Sequence, residues 1–458
     1  MNRHRFSRTG FASLLLVAVG GCARATPSGE PAPADRMTPW ASTYSALPSA
    51  PTLIRNATVL TAAGPTLENA DVLMRDGRIE AVGRQLGAAA DVTVIDGTGR
   101  WVTPGLIDTH SHLGVYAAPG GSALSDGNEA TNPNTAGVWA EHSVWPQDPQ
   151  FARALAGGVT TLQILPGSAN LFGGRSVTVK NLPGRSVMDM KFPGAPYGLK
   201  MACGENPKRV YGNRGGPSTR MGNVAGYRRA WLEAEEYRDQ RLNGAEVLED
   251  LDMETLAGVL SGDILVHNHC YRADEMLVML DLAEQFGYRI ASFHHAVEAY
   301  KIADVLAAEG VCASIWADWW GFKMEAYDGI QQNAALVESA GGCAVIHSDD
   351  PRGIQRLNHE AAKAMRAAWQ VGMEGIDRED AIRWITINPA RALGIDDQTG
   401  SLEVGRMADV VLWSGDPFSV YSHPERVWID GAVVYDRNDP SLQPVSDFEL
   451  GILPAIVD

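Results

Sequence analysis

What this sequence lacks narrows its function first. It has no basic footprint: 38 lysines and arginines stand against 55 acidic residues, a formal net charge of −17, which argues against a nucleic-acid partner. No apolar run is long enough for a permanent membrane helix, and no internal repeat is visible. None of the five cysteines forms a CxxC pair. A charged fraction of 20% beside 45% hydrophobic residues is that of a globular enzyme and excludes a disordered chain. The 458 residues suffice for a large barrel domain and a smaller companion.

The first segment is organised for export. Arg3, Arg5 and Arg8 precede an apolar run from Phe11 to Val19, followed by Val19-Gly20-Gly21-Cys22. A basic stretch, a short apolar stretch and small residues before a cleavage point describe a secretory signal. The cysteine directly after the small residues resembles a bacterial lipobox, so an exported, periplasmic protein anchored by a lipid on Cys22 is expected. Membrane contact is then limited to that anchor. Residues 23–51, rich in Pro, Ala and Ser, read as a flexible tether. Cys203, Cys270, Cys312 and Cys343 each sit in or beside an apolar, strand-like run, so buried free thiols are expected rather than a disulfide framework.

From Thr52 to Val102 short apolar runs alternate with turns, and Asp76-Gly77 and Asp96-Gly97 are hairpin signals. Ala408–Trp413 and Val427–Tyr435 mirror that pattern near the other end. The middle alternates apolar strands with helical patterns, which implies βα units and a parallel sheet. Strands are expected at 159–165, 199–203, 264–269, 290–295, 311–316 and 343–348, and helices at 273–286, 298–309 and 358–371. Eight such units fill a (β/α)8 TIM barrel. The expected architecture is therefore α/β: a barrel over 103–395, and a small β-sandwich assembled from 52–102 and 396–440. A leader occupies 1–22, a linker 23–51 and a tail 441–458. Residues 122–149, polar and irregular, read as a long active-site loop.

The most informative stretch is Pro104-Gly105-Leu106-Ile107-Asp108-Thr109-His110-Ser111-His112. Residues two apart on a strand face the same side, so His110 and His112 can aim at one metal. Because TIM-barrel chemistry sits at the C-terminal strand ends, the other polar residues ending apolar strands belong beside them. These are Glu205, His267 and His269, His294 and His295, and Asp349 and Asp350. His269 and His295 are 26 residues apart, about one βα unit, and His295 and Asp349 are 54 apart, about two.

These residues, with "TPGLIDTHSH" and "GSLEVGRMADVVLW", make the chain resemble the amidohydrolase superfamily, nearest its imidazolonepropionase-like branch. The resemblance covers Thr52 to Asp436. It implies metal ligation by His110, His112, His269, His295 and Asp349, leaving His267, His294 and Asp350 in supporting roles. A bridging ligand comes from Glu205, which needs no modification and is the favoured candidate, or from a carboxylated Lys200. Lys180 is a third candidate. The implied cofactor is one or two divalent ions, zinc first, with manganese or iron as alternatives. Asp349 would act as general base and then as acid.

The implied reaction is hydrolysis of an amide or peptide-like C–N bond in a small substrate. A dipeptidase or carboxypeptidase-type peptidase and a lactam hydrolase are alternatives. A deaminase is disfavoured because Arg272 stands where its glutamate is expected, and a non-catalytic metal-binding lipoprotein because all ligand types are present. Arg175 and Tyr211 are candidate substrate contacts, each with an ordinary structural role as the competing reading. Trp316, Trp319 and Trp320 either wall the pocket or pack the barrel rim. A homo-oligomer is expected from the frequency of oligomers among relatives.

Overall fold

The computed structural model describes residues 38–443. The leader, the lipobox Cys22, most of the linker and the C-terminal tail lie outside the described residues. The architecture below is that of the unit beginning at Trp40.

Eight strands follow one another around the central sheet in sequence order. They are β1 (Leu106–Ser111), β2 (Val159–Ile164), β3 (Phe172–Lys180), β4 (Tyr197–Ala202), β5 (Ile264–His269), β6 (Ile290–His294), β7 (Cys312–Ile315) and β8 (Cys343–Ile346). The ends of the series approach one another. The Asp349 amide donates to the His110 carbonyl at 2.9 Å, and the buried Asp108 carboxylate accepts from the Ser348 amide at 3.2 Å and from its hydroxyl. The result is a TIM-barrel-like α/β fold.

One strand departs from the expected parallel order. Residues 172–180, outside the strands expected from sequence, form β3, which runs antiparallel to both β2 and β4. Every residue of β3 is buried, so it shows no apolar–polar alternation, and Gly173-Gly174 disguises it further. Gly174 sits at φ +112°, and a Cβ there would meet the Val138 carbonyl oxygen at 2.3 Å.

The strands of both terminal segments join in a second eight-stranded sheet. Val410–Trp413 pairs antiparallel with Trp101–Pro104, so the late strands continue the early ones. Ile54, Val72, Met74, Val102, Val410 and Trp428 form its core. Asp76-Gly77 makes the expected hairpin, with both residues at positive φ. Asp96-Gly97 does not: Thr93–Asp96 and Trp101–Pro104 both pair parallel to Thr52–Val59. The Gly97 amide instead donates to the Arg55 carbonyl at 2.7 Å.

Two further expectations are corrected. The described end of the tether is held rather than free. The Thr43 amide donates to the Met188 carbonyl, the Ser42 hydroxyl to the Lys191 carbonyl, and the Tyr44 hydroxyl to Asp430. The four cysteines form disulfides, Cys203–Cys270 and Cys312–Cys343. Adjacent parallel strands bring them together: Cys312 and Cys343 are register partners on β7 and β8. Cys203 and Cys270 directly follow the β4–β5 partners Ala202 and His269. No helix among the described residues is long and apolar enough to cross a membrane.

Candidate metal centre at the barrel mouth

His110 lies near the C-terminal end of β1 and His112 one residue beyond it. Asp349 follows β8, at φ +52°, a left-handed conformation sparsely used by residues other than glycine and often found at functional sites. Its Oδ1 lies 3.4 Å from His110 Nε2 and 3.2 Å from His112 Nε2. Ligand-type atoms of these three residues lie within 4.8 Å of one another, the one such group among the described residues. Two imidazoles and a carboxylate at that separation fit a divalent cation.

The tautomer of His112 is fixed by its surroundings. Its Nδ1 is 2.9 Å from the Leu165 carbonyl, which can only accept, so Nδ1 carries the hydrogen and Nε2 presents a lone pair. His295 follows β6 at φ +59°. Its Nε2 is 3.7 Å from Asp349 Oδ2, and its ring stacks on Trp316 with centroids 4.3 Å apart. His269 ends β5 with its ring centroid 4.9 Å from that of His295. Its Nε2 is 3.3 Å from Asn206 Nδ2, and its buried Nδ1 has no hydrogen-bond partner among the described residues. Burial pushes the pKa values of His110, His269 and His295 well down, so these imidazoles are neutral, as ligands must be.

The two bridging candidates are placed differently. Lys200, fully buried on β4, places Nζ 3.3 Å from His110 Nε2 and donates to the Pro166 carbonyl at 3.1 Å. Burial lowers its amine to about 7. Glu205, the favoured candidate from sequence, starts the short helix Glu205–Tyr211 and pairs with Lys323 Nζ at 3.2 Å. It is not brought into the His110–His112–Asp349 group. The third candidate, Lys180, is buried between Asp430 (2.7 Å) and Asp409 (3.3 Å).

The substrate-contact candidates are buried. Arg175 donates from Nε to the Thr255 hydroxyl at 2.8 Å and lies over the Trp139 ring at 4.2 Å, with no carboxylate among the described residues paired to it. Burial lowers its pKa to about 10. The Tyr211 hydroxyl is buried without a hydrogen-bond partner among the described residues. Trp316 is buried, whereas Trp319 and Trp320 are exposed.

The segment read as an active-site loop is largely irregular. Together with Val115 and Pro166, it lines a cavity of about 560 Å³ that includes Asp126, Glu129, Trp139 and His142. Because the Pro166 carbonyl also holds Lys200, this cavity adjoins the centre. Sequence reasoning missed Asp108, whose oxygens hold the His110 amide and Ser348 and whose pKa burial raises to about 7. Its position two residues before His110, on the same strand face, was the available signal.

The model of the amidohydrolase family matches residues 261–441. The crystal structure of an amidohydrolase from Thermotoga maritima is 38% identical, with a TM-score of 0.78, covering 84% of this chain and all of that one. An amidohydrolase of Hapsidospora irregularis is 33% identical over 431 residues, 84% of this chain but only 43% of that relative's length. The chain thus spans less than half of that curated relative. An imidazolonepropionase of a Geobacillus species is 23% identical over 389 residues, covering 76% of this chain and 84% of its own. The chain belongs to the amidohydrolase family.

Proposed function

We propose that this protein is a divalent-metal-dependent hydrolase that cleaves an amide or peptide-like C–N bond of a small substrate. The observation that carries the reading is the convergence of His110 Nε2, His112 Nε2 and Asp349, with His112 locked as a lone-pair donor. In this reading His110, His112, His269, His295 and Asp349 hold the cation or cations, zinc first, with manganese or iron as alternatives. A bound divalent ion supplies water activation near neutral pH and polarisation of the scissile carbonyl.

The chain's own residues do the rest. Asp349 Oδ2 is the base that takes a proton from the attacking water and returns it to the leaving amine. The products are a carboxylate and an amine. We assign the bridging role to Lys200 rather than Glu205, because Lys200 Nζ already touches the His110 ring and its lowered pKa leaves much of it as free amine. Free amine is the form that reacts with CO2, giving a carbamate and releasing one proton.

Export is part of the same proposal, and the two disulfides support it, since such bonds persist in oxidising compartments. Incorporation of labelled fatty acid that disappears in Cys22→Ser tests the anchor. To test the activity, a pooled library of dipeptides and N-acyl amino acids is incubated with the purified protein and zinc or manganese. Mass spectrometry follows consumption, and Asp349→Asn serves as the blank. Consumption of a related subset by the unaltered protein alone is expected; identical profiles would reject a peptide-like substrate. Lactams and a non-catalytic role then follow as the remaining readings.

A further inference from the structure

From the proposed ligand His110 a line of imidazoles runs back through His294 and His267, which the reaction does not use directly. His110 Nδ1 is 2.8 Å from His294 Nδ1, and His294 Nε2 is 3.0 Å from His267 Nδ1. All three side chains are completely buried. The third ring has room because residue 198 on β4 is glycine: a Cβ there would stand 2.5 Å from His267 Cδ2.

Each nitrogen–nitrogen contact needs one hydrogen, and a neutral imidazole has only one to give. His294 therefore couples its two neighbours: if it donates to His267 it must accept from His110, and the reverse. Metal ligation by His110 selects a direction. Its Nε2 lies 3.3 Å from Lys200 Nζ and 3.4 Å from Asp349 Oδ1, and a cation held there takes the Nε2 lone pair. The hydrogen of His110 then sits on Nδ1 and points to His294, whose own hydrogen points to His267. Where His112 is oriented by a carbonyl, a fixed acceptor, His110 is oriented by a group that must itself be oriented.

We propose that His294 and His267 are positioning residues that hold His110 as the Nδ1–H tautomer, leaving Nε2 free for the metal. This rests on the reading that His110 and His112 bind the cation. Partners that orient a ligating histidine typically contribute about 10–100-fold in metal affinity. His294→Leu removes the acceptor for His110. His294→Asn keeps one, in its amide oxygen. His267→Phe fills the same space but accepts nothing from His294.

The test measures zinc affinity of the full chain by competition with a chromophoric chelator, for the unaltered protein, these three variants and His112→Ala. Expected are a loss of about 10–100-fold for His294→Leu, a smaller loss for His267→Phe and substantial recovery in His294→Asn. Unaltered affinity in His294→Leu, with a large loss in His112→Ala, would overturn the chain of imidazoles while sparing the ligand assignment. Unaltered affinity in His112→Ala would instead reject the ligand assignment itself. Nitrogen-15 spectra of histidine-labelled, metal-free unaltered protein give a reading that does not depend on the leucine variant folding. Hydrogen on Nδ1 of His110 is expected, and hydrogen on Nε2 would overturn the proposal.

Discussion

Replacing Lys200 with methionine should make the metal-free protein more stable while weakening its response to metal. In the folded chain the Lys200 amine titrates near 7 instead of 10.5, because burial penalises its charged form. The folded state therefore binds fewer protons than the unfolded chain between those two pH values, and stability rises with pH across that window. Integrating the shift gives a penalty of about 4 kcal/mol at pH 7, shrinking to about 2 kcal/mol at pH 9. Methionine has a similar length and no charge to desolvate, so Lys200→Met should be more stable by amounts of that order, with the gap narrowing as pH rises. The assay is denaturant unfolding of chelator-treated protein in CO2-free buffer at both pH values. A gap that does not change with pH, or an unaltered protein that is the more stable at pH 7, would refute the reasoning. Added zinc should stabilise the unaltered protein more than Lys200→Met, since binding to the folded state alone adds stability by mass action.

Lys180→Met should have the opposite effect. It strips the cation from two buried carboxylates, Asp409 and Asp430, at a cost of about 3–5 kcal/mol in unfolding free energy measured by denaturant titration, and adding Asp430→Asn should recover part of it. Reducing Cys203–Cys270 and Cys312–Cys343, which close loops of 67 and 31 residues, should each cost about 4 kcal/mol in the chain-entropy account, measured by melting with and without dithiothreitol. Glu325 is held up to about 7 by burial, with Glu275 and Glu205 adding to it, despite its contact with Arg220. It therefore favours the fold at low pH and loses that contribution as pH rises from about 4.5 through 7. Glu325→Gln should flatten that part of the stability–pH curve.

The parts legible in the sequence were those with a simple period or a one-sided burial. The strand Ile264–His269 and the helix Ala273–Phe286 have the bounds that their apolar patterns indicate. The antiparallel β3 escaped because burial on both faces erases alternation. The long helix Arg220–Leu242 escaped because its composition is polar, although its buried positions Asn223, Tyr227, Ala230, Trp231, Ala234 and Tyr237 follow a helical period. The cysteine pairs depend on strand register, which no spacing rule provides. At the site, the His-x-His pair and Asp349 could be gathered from strand ends. Which lysine or glutamate joins them depends on what each side chain meets in space. Glu205 meets Lys323, whereas Lys200 meets His110.

The central claim is that His110, His112 and Asp349 share one divalent cation. Anomalous scattering from crystals grown with zinc tests it most directly. The account predicts a peak about 2.0–2.2 Å from both Nε2 atoms and an Asp349 carboxylate oxygen. Full zinc occupancy elsewhere on the chain, with none between these three side chains, would contradict it.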